Sequence, residues 1–420
     1  MENKLVIKGG KKLKGEVTIS SSKNAAVAIL PAVVLGSEIV KLYDVPHIED
    51  VHVLIQLLQE LNINVTTDKN NALVIDPTDM NNIVLCSRNV SRLRASYYFM
   101  GALLSRYRYV KMLYPGGCNL GPRPIDLHLK GFEALGAKVT LEGDYIEIKA
   151  EELIGDEIYL DFASVGATIN IMLAATLARG RTIIANAAKE PEIIDLSSML
   201  NKMGARIHGA GTSKITIDGV SRLKGCIHEI IPDRIEAGTY ISLAAAIGDG
   251  ILVKNVIPQH IEALLSKLEE MGVDYNVTAD SVYVFPVNKT LKPIEITTQT
   301  FPGFATDLQQ PITPLLMKAD GVSLVQDKIY PERFKHCEQL NKMGGRIVVN
   351  DGKAVIYGNS NLKLVGNNVR ATDLRCGAGL IIAALMAEGE TVIDDAYHIF
   401  RGYSNIVEKL SLLGADVQKI

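Results

Sequence analysis

One stretch of the chain combines a thiol with an unusual backbone: Pro115-Gly116-Gly117-Cys118-Asn119-Leu120-Gly121-Pro122-Arg123-Pro124-Ile125-Asp126-Leu127-His128. Its glycines and prolines predict an ordered loop rather than a helix or strand. A thiol with an ordinary pKa near ~8.5 is protonated at neutral pH, so it can give a proton as well as attack as a nucleophile. Glycines leave Cys118 uncrowded, and Arg123 lies close in sequence. No Gly-Lys-Ser/Thr follows at P-loop spacing, and no acidic residue of the dinucleotide-binding kind lies downstream. The other four cysteines, Cys86, Cys226, Cys337 and Cys376, are expected to be buried and inert.

A second group of polar residues stands at the starts of apolar, helix-forming stretches. In chain order these are Lys23-Asn24, Arg94 with Ser96, Ser164-Val165-Gly166, Asp233-Arg234 with Glu236, Asp307, and Asp373 with Arg375. Helix N-termini carry unpaired N–H groups and the positive end of the helix dipole, which suits anions. Ser164 and Asp233 could equally be plain N-caps. Lys23, Arg94 and Arg375 oppose the dipole. Either an anionic ligand or an ion-pair partner would resolve that conflict, and a ligand is the expectation.

The elements that must position these groups recur. A helix end, a Gly or Asn and then a strand appear at Asn62, Gly136, Gly204, Gly272, Gly344 and Gly414, roughly 70 residues apart. Glycine after a last helical turn takes the left-handed conformation without a Cβ penalty, and Asn is next best. Each copy also holds a helix that is apolar nearly all round, over residues 25–35, 95–104, 166–178, 238–247, 306–317 and 377–387. Such a helix must be buried on every side. Six copies imply an α/β chain of two domains, each with three repeats, outer amphipathic helices and strands around buried inner helices. The boundary is expected near residues 226–233.

Bulk properties agree with an enzyme. The chain has 420 residues, 47% of them hydrophobic, and 44 basic against 47 acidic side chains. That balance suggests neither a nucleic-acid nor a membrane partner. No signal peptide is visible, and no apolar run is long enough to span a bilayer. An odd number of widely spaced cysteines argues against a disulfide framework and fits a reducing cytoplasm. The eight histidines show no metal-binding spacing, so no metal is implied. No cofactor is implied either.

Residues 115–128, Ser22-Lys23-Asn24-Ala25-Ala26, Arg94-Ala95-Ser96, Thr306-Asp307, Ala371-Thr372-Asp373-Leu374-Arg375 and His398-Ile399-Phe400-Arg401-Gly402-Tyr403 occur in one order. Together they resemble the UDP-N-acetylglucosamine 1-carboxyvinyltransferases of the enolpyruvyl transferase family, across essentially the whole chain. The likeness is greatest to the second paralogue of some Gram-positive bacteria. The resemblance implies an inside-out α/β barrel in two domains, residues 1–21 with 232–420 and residues 22–231. It implies transfer of enolpyruvyl from phosphoenolpyruvate to the 3′-hydroxyl of UDP-N-acetylglucosamine with release of phosphate, the first committed step of peptidoglycan synthesis. The sister activity on shikimate 3-phosphate and a weakly active regulatory paralogue are the alternatives.

By the same resemblance Cys118 is the acid and Asp307 the base. Lys23, Arg123 and Arg401 clamp phosphoenolpyruvate, Asn24 bonds the reacting centre, and Asp373 is a further catalytic carboxylate. Arg94, Arg123, Pro124, Ile125, Asp126, Leu127, Ser164, Val165, Gly166 and Ile329 hold the sugar nucleotide, and Asp307 and Arg375 complete the substrate-contacting set. Two positions depart from the family pattern. Ser21-Ser22 replace a common Gly-Ala, and Phe162 stands where one branch has Lys. His128 and His398 either brace an arginine or act directly.

Overall fold

All six helix ends named above are followed by a residue with positive φ: Asn62 at 62°, Gly136 at 93°, Gly204 at 104°, Gly272 at 91°, Gly344 at 103° and Gly414 at 95°. In this computed structural model, which describes residues 4–116 and 125–420, each turn closes in the same way. The N–H of the next residue reaches back to the last turn: Ile63 to Leu58, Ala137 to Phe132, Ala205 to Leu200, Val273 to Leu268, Gly345 to Leu340 and Ala415 to Leu410, all at 2.9–3.1 Å. This is the Schellman arrangement that a left-handed residue permits. The outer helices so ended are Glu49–Glu60, Asp126–Ala134, Pro191–Lys202, Glu262–Met271, Lys335–Lys342 and Ile406–Leu412.

The sheets repeat as well. In five of them a short strand pairs in parallel with a second, which pairs antiparallel with a third, which pairs antiparallel with a fourth. The second copy keeps three strands, and its parallel neighbour shrinks to a single bridge, Leu85 to Met112. The chain divides into one unit of residues 4–20 and 232–420, and another spanning 21–231, each around its own apolar core. The chain passes between the units twice, each time just after a strand that pairs within the unit it leaves. Leu13–Thr18 precedes the inner helix of the 21–231 unit but pairs with Gly248–Lys254. Ile227–Glu229 precedes the inner helix of the other unit but pairs with Val40–Tyr43.

The inner helices are Lys23–Ala32, Tyr98–Tyr107 and Val165–Ala175 in one unit, and Arg234–Ile247, Thr306–Leu316 and Leu374–Met386 in the other. Within each unit they run parallel. Ser105 Oγ bonds Ala174 O near two C-terminal ends, and Arg106 reaches Val34 O just past a third. In the other unit Lys318 Nζ reaches Ala246 O, while Arg375 meets Asp307 at the opposite ends. Their starts therefore gather at one end of each unit. Two helices begin earlier than the apolar pattern indicates, at Arg234 and Leu374. Asp233 caps the N–H groups of Ile235 and Glu236, and Asp373 caps those of Arg375 and Cys376, so polar first turns become helical. The second begins as a tighter 3₁₀ turn, Arg94–Tyr97.

Among the described residues no helix is long and apolar enough to cross a membrane. Cysteine placement corrects one expectation. Cys337 and Cys376 are buried, but Cys86 is exposed and Cys226 half-buried. Cys86 lies between the bridge at Leu85 and the helix Arg88–Arg92. Burial pushes the Cys226 and Cys376 thiols up to about 11.

Candidate active site

In the 21–231 unit the first inner helix opens on Lys23 and Asn24. Ser22 caps it, its Oγ accepting from Ala25 N at 3.2 Å, so the departure from Gly-Ala supplies a cap. Lys23 Nζ lies 2.7 Å from Asp50 Oδ2, with the side chains only 14% and 5% exposed. Asn24 Nδ2 donates to Glu192 Oε1 at 3.4 Å. Both carboxylates come from first turns of outer helices, Glu49–Glu60 and Pro191–Lys202, where the helix dipole favours negative charge. The cation at a helix start thus has a protein carboxylate beside it, the ion-pair partner that the sequence left open alongside a ligand.

Arg94 lies 5.8 Å from the Tyr97 ring centroid. Ser164 caps the third inner helix, accepting from Ala167 N at 3.3 Å, which answers the capping question raised by its sequence. Gly166 follows in a crowded place: a Cβ there would stand 2.9 Å from the Tyr97 hydroxyl and 3.1 Å from His128 Nε2. His128 is buried, its ring packing edge-on to Tyr97 at 4.8 Å. Burial, and then the charge on Arg94, pushes its pKa down to about 3. Ile125 is buried, Asp126 exposed and Leu127 half-buried at the start of Asp126–Ala134. Phe162 is exposed. Cys118, Arg123 and Pro124 lie outside the described residues.

In the other unit Asp307 sits between two arginines. Arg333 Nη1 is 2.5 Å from Oδ1, and Arg375 Nη2 and Nε are 3.2 and 3.3 Å from Oδ2. Burial alone would raise the Asp307 pKa, but the charges on Arg333 and Arg375 overcome it and hold the carboxyl well below the usual range. Arg375 stacks over Tyr403 at 5.3 Å, and the Tyr403 hydroxyl meets Thr239 Oγ1 at 2.9 Å. Asp373, besides capping, accepts from Gln310 Nε2 at 3.3 Å. Arg333 and Arg375 thus flank Asp307, and Asp373, Asp233 and Arg234 stand near enough to add charge of both signs. Arg375 at its helix start is answered by Asp307, again an ion-pair partner. Ile329 N donates to Asp327 Oδ1 at 2.9 Å. Arg401 is half-buried after the short helix Tyr397–Phe400, and His398 is driven below its ordinary pKa by burial and then by Arg401.

Each unit therefore brings its own predicted set together: Lys23, Asn24, Arg94 and Ser164–Gly166 at inner-helix starts of one, Asp307, Asp373 and Arg375 at those of the other. Sequence reasoning missed Asp50, Glu192 and Arg333. The first two carried a signal, as acids in first turns of outer helices. Arg333 sits in an irregular turn after Pro331 and carried none.

The chain belongs to the enolpyruvyl (carboxyvinyl) transferase family: residues 7–410 match the family described as EPSP synthase (3-phosphoshikimate 1-carboxyvinyltransferase). Within it, the chain is 54% identical over 419 residues to UDP-N-acetylglucosamine 1-carboxyvinyltransferase 2 of Listeria monocytogenes serotype 4b, covering 100% of this chain and 98% of the relative. The fold is similar to the crystal structure of the enolpyruvyl transferase NikO from Streptomyces tendae, with TM-score 0.91 and 26% identity over 100% of this chain and 99% of that one. EPSP synthase from Acinetobacter baumannii, at TM-score 0.74, 17% identity and full coverage of both chains, shares the fold alone.

Proposed function

We propose that this protein transfers the enolpyruvyl group of phosphoenolpyruvate to the 3′-hydroxyl of UDP-N-acetylglucosamine, releasing phosphate. It thereby acts at the first committed step of peptidoglycan synthesis, in the cytoplasm. The observation that carries the reading is 54% identity across the whole chain with a relative of that name. Identity of 17% to an EPSP synthase lends the shikimate alternative the fold and nothing more.

The chemistry is addition followed by elimination. The Cys118 thiol gives its proton to the methylene carbon of phosphoenolpyruvate, leaving the adjacent carbon electron-poor. The sugar hydroxyl oxygen bonds that carbon while Asp307 takes its proton. The Cys118 thiolate then takes a methyl proton from the resulting tetrahedral adduct while the departing phosphate oxygen takes the proton from Asp307, which restores the double bond and both side chains. Lys23, Arg123 and Arg401 hold the phosphate and carboxylate, and arginine's planar fork suits both groups. Asn24 bonds the reacting centre, and Asp373 is a further catalytic carboxylate. Arg94, Ile125, Asp126, Leu127, Ser164, Val165, Gly166, Ile329 and Arg375 contact the substrates. Asp307 is ionised at neutral pH, as a base must be, but two arginines weaken its basicity.

Phosphate release should require phosphoenolpyruvate and UDP-N-acetylglucosamine together. Turnover with shikimate 3-phosphate and none with the sugar nucleotide would show the assignment to be wrong. Cys118→Ser should lower turnover by about 100-fold or more, the scale of losing a positioned acid.

A further inference from the structure

Gln310, Thr313 and His336 are buried side chains of the 232–420 unit that the mechanism above does not use, and Gln310 bonds a carboxylate that it does use. The hydrogen bonds among them can run in one sense only. Thr313 Oγ1 lies 2.7 Å from Gln309 O one helical turn earlier, and a carbonyl oxygen only accepts, so the hydroxyl proton lies between them. Thr313 Oγ1 is then an acceptor toward His336 Nε2 at 3.2 Å, which places a ring proton on Nε2. Burial pushes the His336 pKa down to about 3, against the opposing charge of Asp373, so Nδ1 keeps its lone pair. Cys337 Sγ stands 3.6 Å from Nε2 and 4.0 Å from Nδ1, distances too alike for it to lie along the lone-pair direction of either nitrogen.

The Nδ1 lone pair faces Gln310 Nε2 at 3.5 Å. The other N–H of the same amide nitrogen donates to Asp373 Oδ2 at 3.3 Å. Turned over, the amide would aim its oxygen at a carboxylate and at a lone pair, so both neighbours require the nitrogen. That orientation is kept although it leaves Oε1 without a hydrogen-bond partner among the described residues. Asp373 is thereby held at both oxygens. Oδ1 caps the helix Leu374–Met386, accepting from Arg375 N at 2.9 Å and Cys376 N at 3.1 Å. A cap fixes Oδ1 but not the tilt of the carboxylate about it. Gln310 Nε2, with Thr372 Oγ1 at 3.4 Å, fixes the tilt. All these donors are neutral, in contrast to the two guanidinium groups that bond Asp307.

We infer that Gln310 and His336 are positioning residues: the imidazole orients the Gln310 amide, and the amide sets the plane of the Asp373 carboxylate for enolpyruvyl transfer. This rests on the reading that Asp373 is a catalytic carboxylate. Reacting groups have to be held within about 0.5 Å and 10–20° to act, and a neutral donor does so without adding charge. The tautomer is read by nitrogen NMR on the full chain with ¹⁵N-labelled histidine, the His336 signals being those lost in His336→Asn. At neutral pH they should report a proton on Nε2 and none on Nδ1. A proton on Nδ1 overturns the inference, because it would meet the Gln310 N–H donor to donor.

In phosphate-release kinetics, Gln310→Met keeps the chain length and loses the donor. It should lower kcat by about 10- to 100-fold, the scale of one lost hydrogen bond to a charged group. KM for each substrate should stay within about threefold, since the bond acts on a reacting group rather than on binding. Two replacements of His336 separate positioning from packing. Asn carries its amide oxygen where the ring carries Nδ1, whereas Gln carries its amide where the ring carries Nε2. His336→Asn should therefore keep about fivefold more kcat than His336→Gln. Equal rates, or the reverse order, refute the role of His336, and this pair decides the matter if Gln310→Met does not fold. Wild-type turnover with an unchanged kcat in Gln310→Met, or a loss confined to KM or thermal stability, sinks this inference and leaves the proposed function standing. No wild-type turnover with phosphoenolpyruvate and UDP-N-acetylglucosamine sinks the proposed function, while the NMR result still decides the orientation of His336.

Discussion

Replacing Arg333 by methionine tests whether Asp307 is governed by its two arginines. The guanidinium is 2.5 Å from Oδ1, and its side chain is 4% exposed against 25% for Asp307. Breaking a buried pair ordinarily costs about 3–5 kcal/mol. Here Arg375 still holds Oδ2 at 3.2 Å and part of the carboxylate remains wet, so about 2–3 kcal/mol is expected. At about 2–4 °C per kcal/mol for a unit of this size, the thermal midpoint should fall by roughly 4–12 °C. The pH dependence follows from the depressed Asp307 pKa. A carboxyl whose folded pKa lies below its unfolded value of about 3.9 contributes stability above that value and loses it as pH falls toward the folded pKa. The unfolded carboxyl is common to both proteins, so the difference in midpoint between wild type and Arg333→Met should be full above the folded pKa of Asp307 in the variant and shrink as pH falls below it. Because a base must be ionised to act, the acid limb of kcat/KM should move to higher pH in the variant. The assays are thermal denaturation across pH and initial-rate phosphate release. A midpoint difference that does not change with pH, or an acid limb that stays in place, would refute the reasoning.

Three further substitutions probe other parts of the molecule. Asp50→Asn removes the carboxylate 2.7 Å from Lys23 and should cost about 2–3 kcal/mol in denaturant unfolding, with a raised KM for phosphoenolpyruvate. Gly166→Ala places a methyl group 2.9 Å from the Tyr97 hydroxyl and should raise KM for the sugar nucleotide by about tenfold or more while circular dichroism stays native, since crowding a packed site costs about 1–3 kcal/mol. Gly414→Ala meets no atom within 4 Å, so only its φ of 95° is strained, and about 1 kcal/mol of stability should be lost without any change in kinetics.

What the sequence made legible were features that chemistry writes locally. Asn62 and the five matching glycines had to be left-handed because a helix end followed at once by a strand leaves no other backbone route, and all six are. Ser164 and Asp233 read as caps or ligands, and both cap. The early starts of Arg234–Ile247 and Leu374–Met386 escaped an apolar pattern because their first turns are polar. Ion-pair partners were harder to see. Lys23 and Asp50 stand on different helices, as do Asp307 and Arg375, and Arg333 lies on neither. Such pairings are decided by how helices pack side by side, which residue spacing along one helix does not encode. Cys86 shows the opposite failure, a residue type that is usually buried standing exposed just before the helix Arg88–Arg92.

The strand Leu5–Lys8 lies between Glu390–Asp394 and Asp416–Lys419, and Lys4 and Ile420 exchange backbone hydrogen bonds at 3.0 and 2.9 Å. This has a consequence for the order of events on the ribosome. Leu5–Lys8 is made well before its neighbours Glu390–Asp394 and Asp416–Lys419 and must wait for them. At about 5–20 residues per second the delay is roughly 20–80 s. The 21–231 unit has no such wait, because every strand it needs has been made by Glu229. It can fold while the N-terminal strand still trails unpaired and the rest of the chain is being translated. A strand left open that long is exposed to wrong pairing, and the lysines Lys4, Lys8, Lys11, Lys12 and Lys14 in and around it supply the charge that discourages such pairing. Because Leu5–Lys8 pairs directly with Asp416–Lys419, a permuted chain that joins those two strands and opens elsewhere would shorten the delay and keep every strand in place.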